Sequence, residues 1–174
     1  MNEVINNLLT RRAVKSYKPD MVPEELISQV VAAGTYAPTG MGMQSPVIVA
    51  VTNREVRDHL SKMNAQIMGM SGRDPFYGAP VVLIVLADRS RGTYLYDGSL
   101  VMGNLMNAAH SLGLGSCWIH RAKEEFESAE GKALLKSWGL NGDYEGIGHC
   151  ILGYAAGPAP EAKPRKADYV TWVK

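Results

Sequence analysis

Apolar residues recur along this chain with two different periods, and the alternation between them divides it into elements. After Val22-Pro23-Glu24-Glu25, residues Leu26, Ile27, Val30 and Val31 fall at helical spacing. Proline and acidic residues suit a first turn, so a helix is predicted over 23–33, with Gly34 ending the pattern. A second helix is predicted over 94–112, where Leu100, Val101, Leu105, Ala108, Ala109 and Leu112 form a stripe and Gly113 stands at the C-terminal cap. A third is predicted over 123–138, with Phe126, Leu134 and Leu135 on one side and Gly139 as its stop. Short β-branched runs bounded by Gly or Pro predict strands over 47–52, 81–87, 116–120 and 147–154. The run Val81-Val82-Leu83-Ile84-Val85-Leu86 is apolar at every position, as expected of a strand covered on both faces. The fold class is therefore α+β, a three-layer sandwich with helices on both sides of a four-stranded sheet.

No repeat and no low-complexity tract divides the 174 residues, and 46% of them are hydrophobic. This matches one domain over 1–174 with a sizeable core. Eighteen Lys and Arg against seventeen Asp and Glu leave a net charge of +1, which excludes the broad basic field of a non-specific nucleic-acid binder. No apolar run approaches the length of a membrane span. Met1 to Leu9 contain Glu3 and three Asn where a secretory signal carries an apolar core. Cys117 and Cys150 each lie in an apolar run and are expected to be reduced and buried. A cytoplasmic location is expected.

Candidate chemistry is sparse. Thr39-Gly40-Met41-Gly42 lacks the third glycine of a dinucleotide fingerprint and precedes a strand instead of following one. Neither a P-loop nor a nucleophile elbow occurs. The four histidines have no metal-ligand spacing, so no metal is expected. Cys117, beside Trp118 and Ile119, reads as a core thiol with a raised pKa. Two features remain. Arg11-Arg12 with Lys15, and Lys163-Pro164-Arg165-Lys166, place cations at both ends of the chain. They are either solvated surface charge or the charge-assisted donors that a phosphate-bearing cofactor needs. The loop Ala37-Pro38-Thr39-Gly40-Met41-Gly42-Met43-Gln44-Ser45-Pro46 offers bare backbone, soft apolar contacts and one amide. It is either an ordinary connection or the lining of a flat ligand.

Taken in order, Leu9-Thr10-Arg11-Arg12-Ala13-Val14-Lys15-Ser16-Tyr17, the 37–46 loop, Ala79-Pro80-Val81-Val82, Leu112-Gly113-Leu114-Gly115-Ser116-Cys117-Trp118-Ile119, Leu152-Gly153-Tyr154 and Lys163-Pro164-Arg165-Lys166 resemble the FMN-dependent nitroreductase family across almost the whole chain. The resemblance implies a mostly antiparallel four-stranded sheet with room for a strand from a partner, and an intertwined homodimer with FMN at the subunit interface. It also implies electron transfer from NADH or NADPH to nitroaromatic, quinone or other conjugated acceptors in a ping-pong cycle. By position, Arg11, Arg12, Lys163 and Arg165 would hold the phosphate and ribityl chain, with Ala13 beside them. Lys15 would approach the pyrimidine edge and tune the flavin. Pro38, Thr39, Gly40, Gly42 and Gln44 would come from the other subunit, and Cys117, Trp118 and Ile119 would lie near the ring.

The chain departs from the pattern at Ala13 and Gly42, where many relatives carry Ser and Asn, so two polar contacts to the cofactor are missing. Ile119-His120-Arg121-Ala122-Lys123 lacks the Glu-Gly pair of longer relatives, and substrate-covering helices are expected to be reduced. Nothing separates Arg73, Arg89, Arg91 and Arg121 as candidates for a 2′-phosphate site. Rival readings are other flavin chemistry, namely reductive dehalogenation or oxygen-dependent flavin breakdown, and a non-enzymatic flavin-binding protein.

Overall fold

A computed structural model describes residues 1–174. Four strands, β1 (Pro46–Val51), β2 (Val81–Asp88), β3 (Gly115–Ile119) and β4 (Tyr144–Gly153), form one sheet in the order β1-β2-β4-β3. Every pairing is antiparallel. β2 is central and buried almost throughout, and its alternating side chains feed two separate cores. Val82, Ile84 and Leu86 join one cluster with Leu60, Phe76, Phe126 and Ile151. Val81, Leu83 and Val85 join the other with Val30, Val101, Met102 and Leu105. Each fully buried aliphatic side chain contributes about 1.5–3 kcal/mol, so both faces stabilise the sheet. The predicted three-layer α+β sandwich is the observed one.

Six α-helices surround the sheet: α1 (Glu3–Thr10), α2 (Glu24–Thr35), α3 (Arg54–Ile67), α4 (Tyr94–Ser111), α5 (Ala122–Glu127) and α6 (Ala129–Ser137). α2 and α4 pack together on one face. Gly34 continues α2 instead of ending it, because a Cβ there would lie 2.6 Å from Leu105 Cδ2. Its missing side chain lets the two helices approach. α4 ends as predicted, with Gly113 at φ +75°.

The single helix predicted over 123–138 is two. Ser128 is extended (φ −65°, ψ 157°), and its hydroxyl accepts from the Gly131 N–H at 2.9 Å, starting α6 afresh. The break is held by close approach, since a Cβ on Gly131 would lie 1.9 Å from the Glu125 carbonyl oxygen. α3 is an addition to the predicted elements, although Asn53 caps it by accepting from the Val56 N–H and Val56, Leu60 and Met63 recur on its inner side. α1 is also additional, and none of its residues is buried.

Candidate functional site

After α1 the chain runs extended across the end of the sheet. The Val14 N–H donates to the Ser116 carbonyl at 3.0 Å, and Lys18 N–H donates to the Tyr154 carbonyl at 2.9 Å. Ala13 bridges Ser116 in parallel, and Tyr17 bridges Ala155. Gly115 permits this crossing, because a Cβ would stand 2.9 Å from Val14 Cγ2. The buried Tyr17 fixes the register by donating its hydroxyl to the Val14 carbonyl at 2.8 Å, and burial pushes its phenol pKa strongly upward.

Pinned in this way, Ala13 and Lys15 line a cavity of about 460 Å³ together with Cys117, Trp118 and Ile119 of β3. The same two residues also line a neighbouring cavity of about 500 Å³, closed by Gly157, Pro158 and Pro160 from the C-terminal segment. Cys117 is buried. Burial raises its thiol pKa, while the positive charges of Lys15 and Arg11 pull the other way. Both cysteines are free and buried, as expected from the sequence. The Lys15 ammonium stands 6.0 Å from the Tyr77 ring centroid.

The far wall of the 460 Å³ cavity is the 68–77 loop. Asp74 organises it. Its carboxylate accepts from Arg57, from the Ser61 hydroxyl at 2.7 Å, and from the N–H groups of Phe76 and Gly78 at 3.0 and 2.7 Å. Burial alone would raise the Asp74 pKa, but these bonds and the Arg57 charge hold it below the usual carboxylate value. The sequence carries no local signal for Asn64, Asp74 and Arg121 at this site, because the side-chain partners that place them lie 13 to 57 residues away. Of Arg73, Arg89, Arg91 and Arg121, the first and last line this cavity. Arg89 is engaged with Glu127, Asp143 and Glu145.

The 38–44 loop lies elsewhere, over the N-terminal turn of α4. Buried Asp97 anchors it, accepting from the Gly40 N–H at 3.0 Å, the Ser45 hydroxyl at 2.7 Å and the Thr93 hydroxyl at 3.1 Å. Burial raises the Asp97 pKa and these three bonds more than reverse that, leaving it lowered. Met41, Gly42 and Gln44 all adopt positive φ, and Met41 is 97% exposed. Within one chain, Pro38, Thr39, Gly40, Gly42 and Gln44 therefore line neither cavity that holds Lys15. Arg12 donates to the Leu9 and Arg11 carbonyls at 2.8 and 2.7 Å. Lys163 and Arg165 are exposed on the C-terminal tail, outside any helix or strand.

The residues present fit a flat, anionic, phosphate-bearing group. Lys15, Arg73 and Arg121 stand beside the apolar face of β3 in one cavity. No helix is long and apolar enough to cross a membrane.

Comparison with known proteins agrees. The family model described as the nitroreductase family matches residues 8–154. A nitroreductase of Bacteroides fragilis NCTC 9343, solved with bound FMN, superposes with a TM-score of 0.90 at 29% identity, and the match covers all of both chains. A protein of Methanothermobacter thermautotrophicus that carries the provisional name NADH dehydrogenase/NAD(P)H nitroreductase is 32% identical over 120 residues, 67% of this chain and 60% of that one. The FMN reductase [NAD(P)H] of Bacillus subtilis strain 168 is 27% identical over 139 residues, 67% of this chain. The chain spans 60% and 53% of the lengths of these two curated relatives.

Proposed function

The chain belongs to the nitroreductase family, and from that premise we propose that it is an FMN-dependent oxidoreductase taking electrons from NADH or NADPH and passing them to nitroaromatic, quinone or related conjugated acceptors. The observation that carries the reading is the gathering of Ala13, Lys15 and the Cys117–Ile119 strand around one cavity of about 460 Å³. FMN, when bound, supplies the two-electron redox chemistry. The protein supplies position and charge. Lys15 would face the electron-rich edge of the ring and stabilise negative charge there, more effectively once the interface excludes water. Arg11 and Arg12, with Lys163 and Arg165, would hold the phosphate by charge-assisted hydrogen bonds. Donor and acceptor would enter the same cavity in turn, which gives ping-pong order.

The site is proposed to be completed by a second copy of the chain, whose Pro38, Thr39, Gly40, Gly42 and Gln44 line the ring and ribityl chain. Support comes from apolar surface left uncovered in one copy: Val4, Ile5, Leu8 and Leu9 on α1, Leu95, Tyr96 and Leu100 on α4, and Val170, Trp172 and Val173 in the tail. β1 is an edge strand, and an apolar groove of about 970 Å³ runs between it and α2, with room for a strand from the partner.

The visible absorbance spectrum of the purified protein, before and after FMN supplementation and removal of excess, tests the reading. Retained flavin bands that bleach anaerobically with NADH or NADPH and return with a nitroaromatic or quinone are the expected result. A folded protein that retains no flavin, or flavin that stays oxidised under both nicotinamides, would overturn it.

A further inference from the structure

Arg121, two residues past β3 and at the N-cap of α5, has a backbone φ of +78°, a region that residues with a Cβ avoid because it crowds the following carbonyl. Such a conformation persists where the surroundings enforce it. Here the enforcing group is Asn64 of α3, which has no exposed surface. Its Nδ2 donates to the His120 carbonyl at 2.8 Å, and its Oδ1 accepts from Arg121 Nε at 2.8 Å. One buried amide thus grips both the backbone before Arg121 and the inner nitrogen of its guanidinium. The two outer nitrogens make no ion pair, and the residue lines the cavity that holds Lys15.

Charge in that cavity is one-sided. Lys15, Arg73 and Arg121 supply three cations, and the lone lining carboxylate, Asp74, is already matched by Arg57. Across from β3, Tyr77, Met68 and Met70 provide an apolar and aromatic wall. If Lys15 and β3 face the flavin, the remaining wall offers a flat apolar surface ending in a fixed guanidinium fork. A fork presents parallel donors matched to a planar carboxylate.

We propose that Arg121 is a specificity-determining residue that selects carboxylate-bearing aromatic acceptors, its guanidinium taking the carboxylate while the ring lies against the apolar wall. This rests on the oxidoreductase reading above. The preorganised Nε bond leaves little side-chain freedom to be lost on binding, so the discrimination should be about tenfold or more.

The test compares 4-nitrobenzoate with the neutral 4-nitrobenzyl alcohol on FMN-supplemented protein, using dissociation constants from ligand-observed NMR titration and kcat/KM with NADH. Wild type should favour the benzoate by about tenfold in both readouts. Arg121→Gln should weaken the benzoate far more than the alcohol and bring the ratio to within about twofold, and Arg121→Lys should retain part of the preference. Absence of preference in wild type, its survival in Arg121→Gln, or equal loss of both ligands would overturn the assignment. A raised KM for NADPH but not NADH in Arg121→Gln, with the acceptor ratio unmoved, would move the guanidinium to the donor's 2′-phosphate and overturn it as well. If no FMN is retained, the flavin reading fails, and the two NMR dissociation constants still decide whether Arg121 selects the carboxylate.

Discussion

Lys15 is marked in the sequence by the motif around it, and the fold supplies its placement. Its side chain is exposed, and its position comes from the extended crossing that Val14 and Tyr17 lock onto the sheet. An ammonium held over one edge of a cavity stabilises whatever negative charge develops there, and the effect grows as water is excluded. Lys15→Ala is therefore expected to lower the midpoint potential of bound flavin by an amount on the order of 30 mV, about a tenfold change in a two-electron equilibrium. Spectroelectrochemical titration would measure it, and an unchanged potential would remove Lys15 from this role. Arg121 and Asn64 carry no such advance signal, because a left-handed arginine and its clamp exist only once α3 meets the turn between β3 and α5.

Among the elements, α4 does the most to present the site residues outside the Lys15 cavity. Its first turn carries Asp97, whose carboxylate gathers the Gly40 N–H, Ser45 and Thr93 into one anchor for the 38–44 loop. The folded carboxyl titrates below its unfolded value of about 3.9, so folding favours the ionised form. That contribution is complete above the unfolded pKa and disappears as pH falls through the lower folded value. Asp97→Asn should therefore flatten the loss of stability below about pH 4, as read from urea unfolding at a series of pH values. At neutral pH it should cost about 1.5–3 kcal/mol, the scale of a hydrogen bond to a charged group. A variant as stable as wild type at pH 7, with an identical acid limb, would show that the loop is anchored otherwise. The broken helix at Ser128 illustrates a different limit. The apolar residues of α5 and α6 read as one period, and the break is enforced by the Glu125 carbonyl lying against Gly131. α3 was legible in principle, from the Asn53 cap and the Val56, Leu60 and Met63 spacing, yet its short stripe lies in a strongly charged stretch.

The whole molecule, as one copy, keeps the two halves of the family resemblance apart: the Lys15 cavity at one end of the sheet, and the 38–44 loop over α4. A second copy would bring them together and cover the apolar faces of α1 and α4. Sedimentation equilibrium is expected to give twice the 18.9 kDa chain mass. Removal of residues 167–174, with their exposed Tyr169, Val170, Trp172 and Val173, should shift the protein toward monomer and lower FMN retention about tenfold or more. A truncated chain that stays dimeric with full flavin would place the partner contacts elsewhere.

Local chemistry in the sequence determined the four strands, the two-sided burial of β2, the α2 and α4 helices and the ordered motifs of the nitroreductase family, because periodicity and turn residues act over a few positions. Tertiary structure alone decided that Gly34 would bring α2 against α4 and that the third helix would break at Ser128. It also decided that Asp74 and Asp97 would each hold a loop, and that Asn64 would fix Arg121 in the cavity wall. Those outcomes depend on a missing Cβ, a carbonyl or a buried amide meeting a partner far along the chain, and such distances are set only when the layers pack.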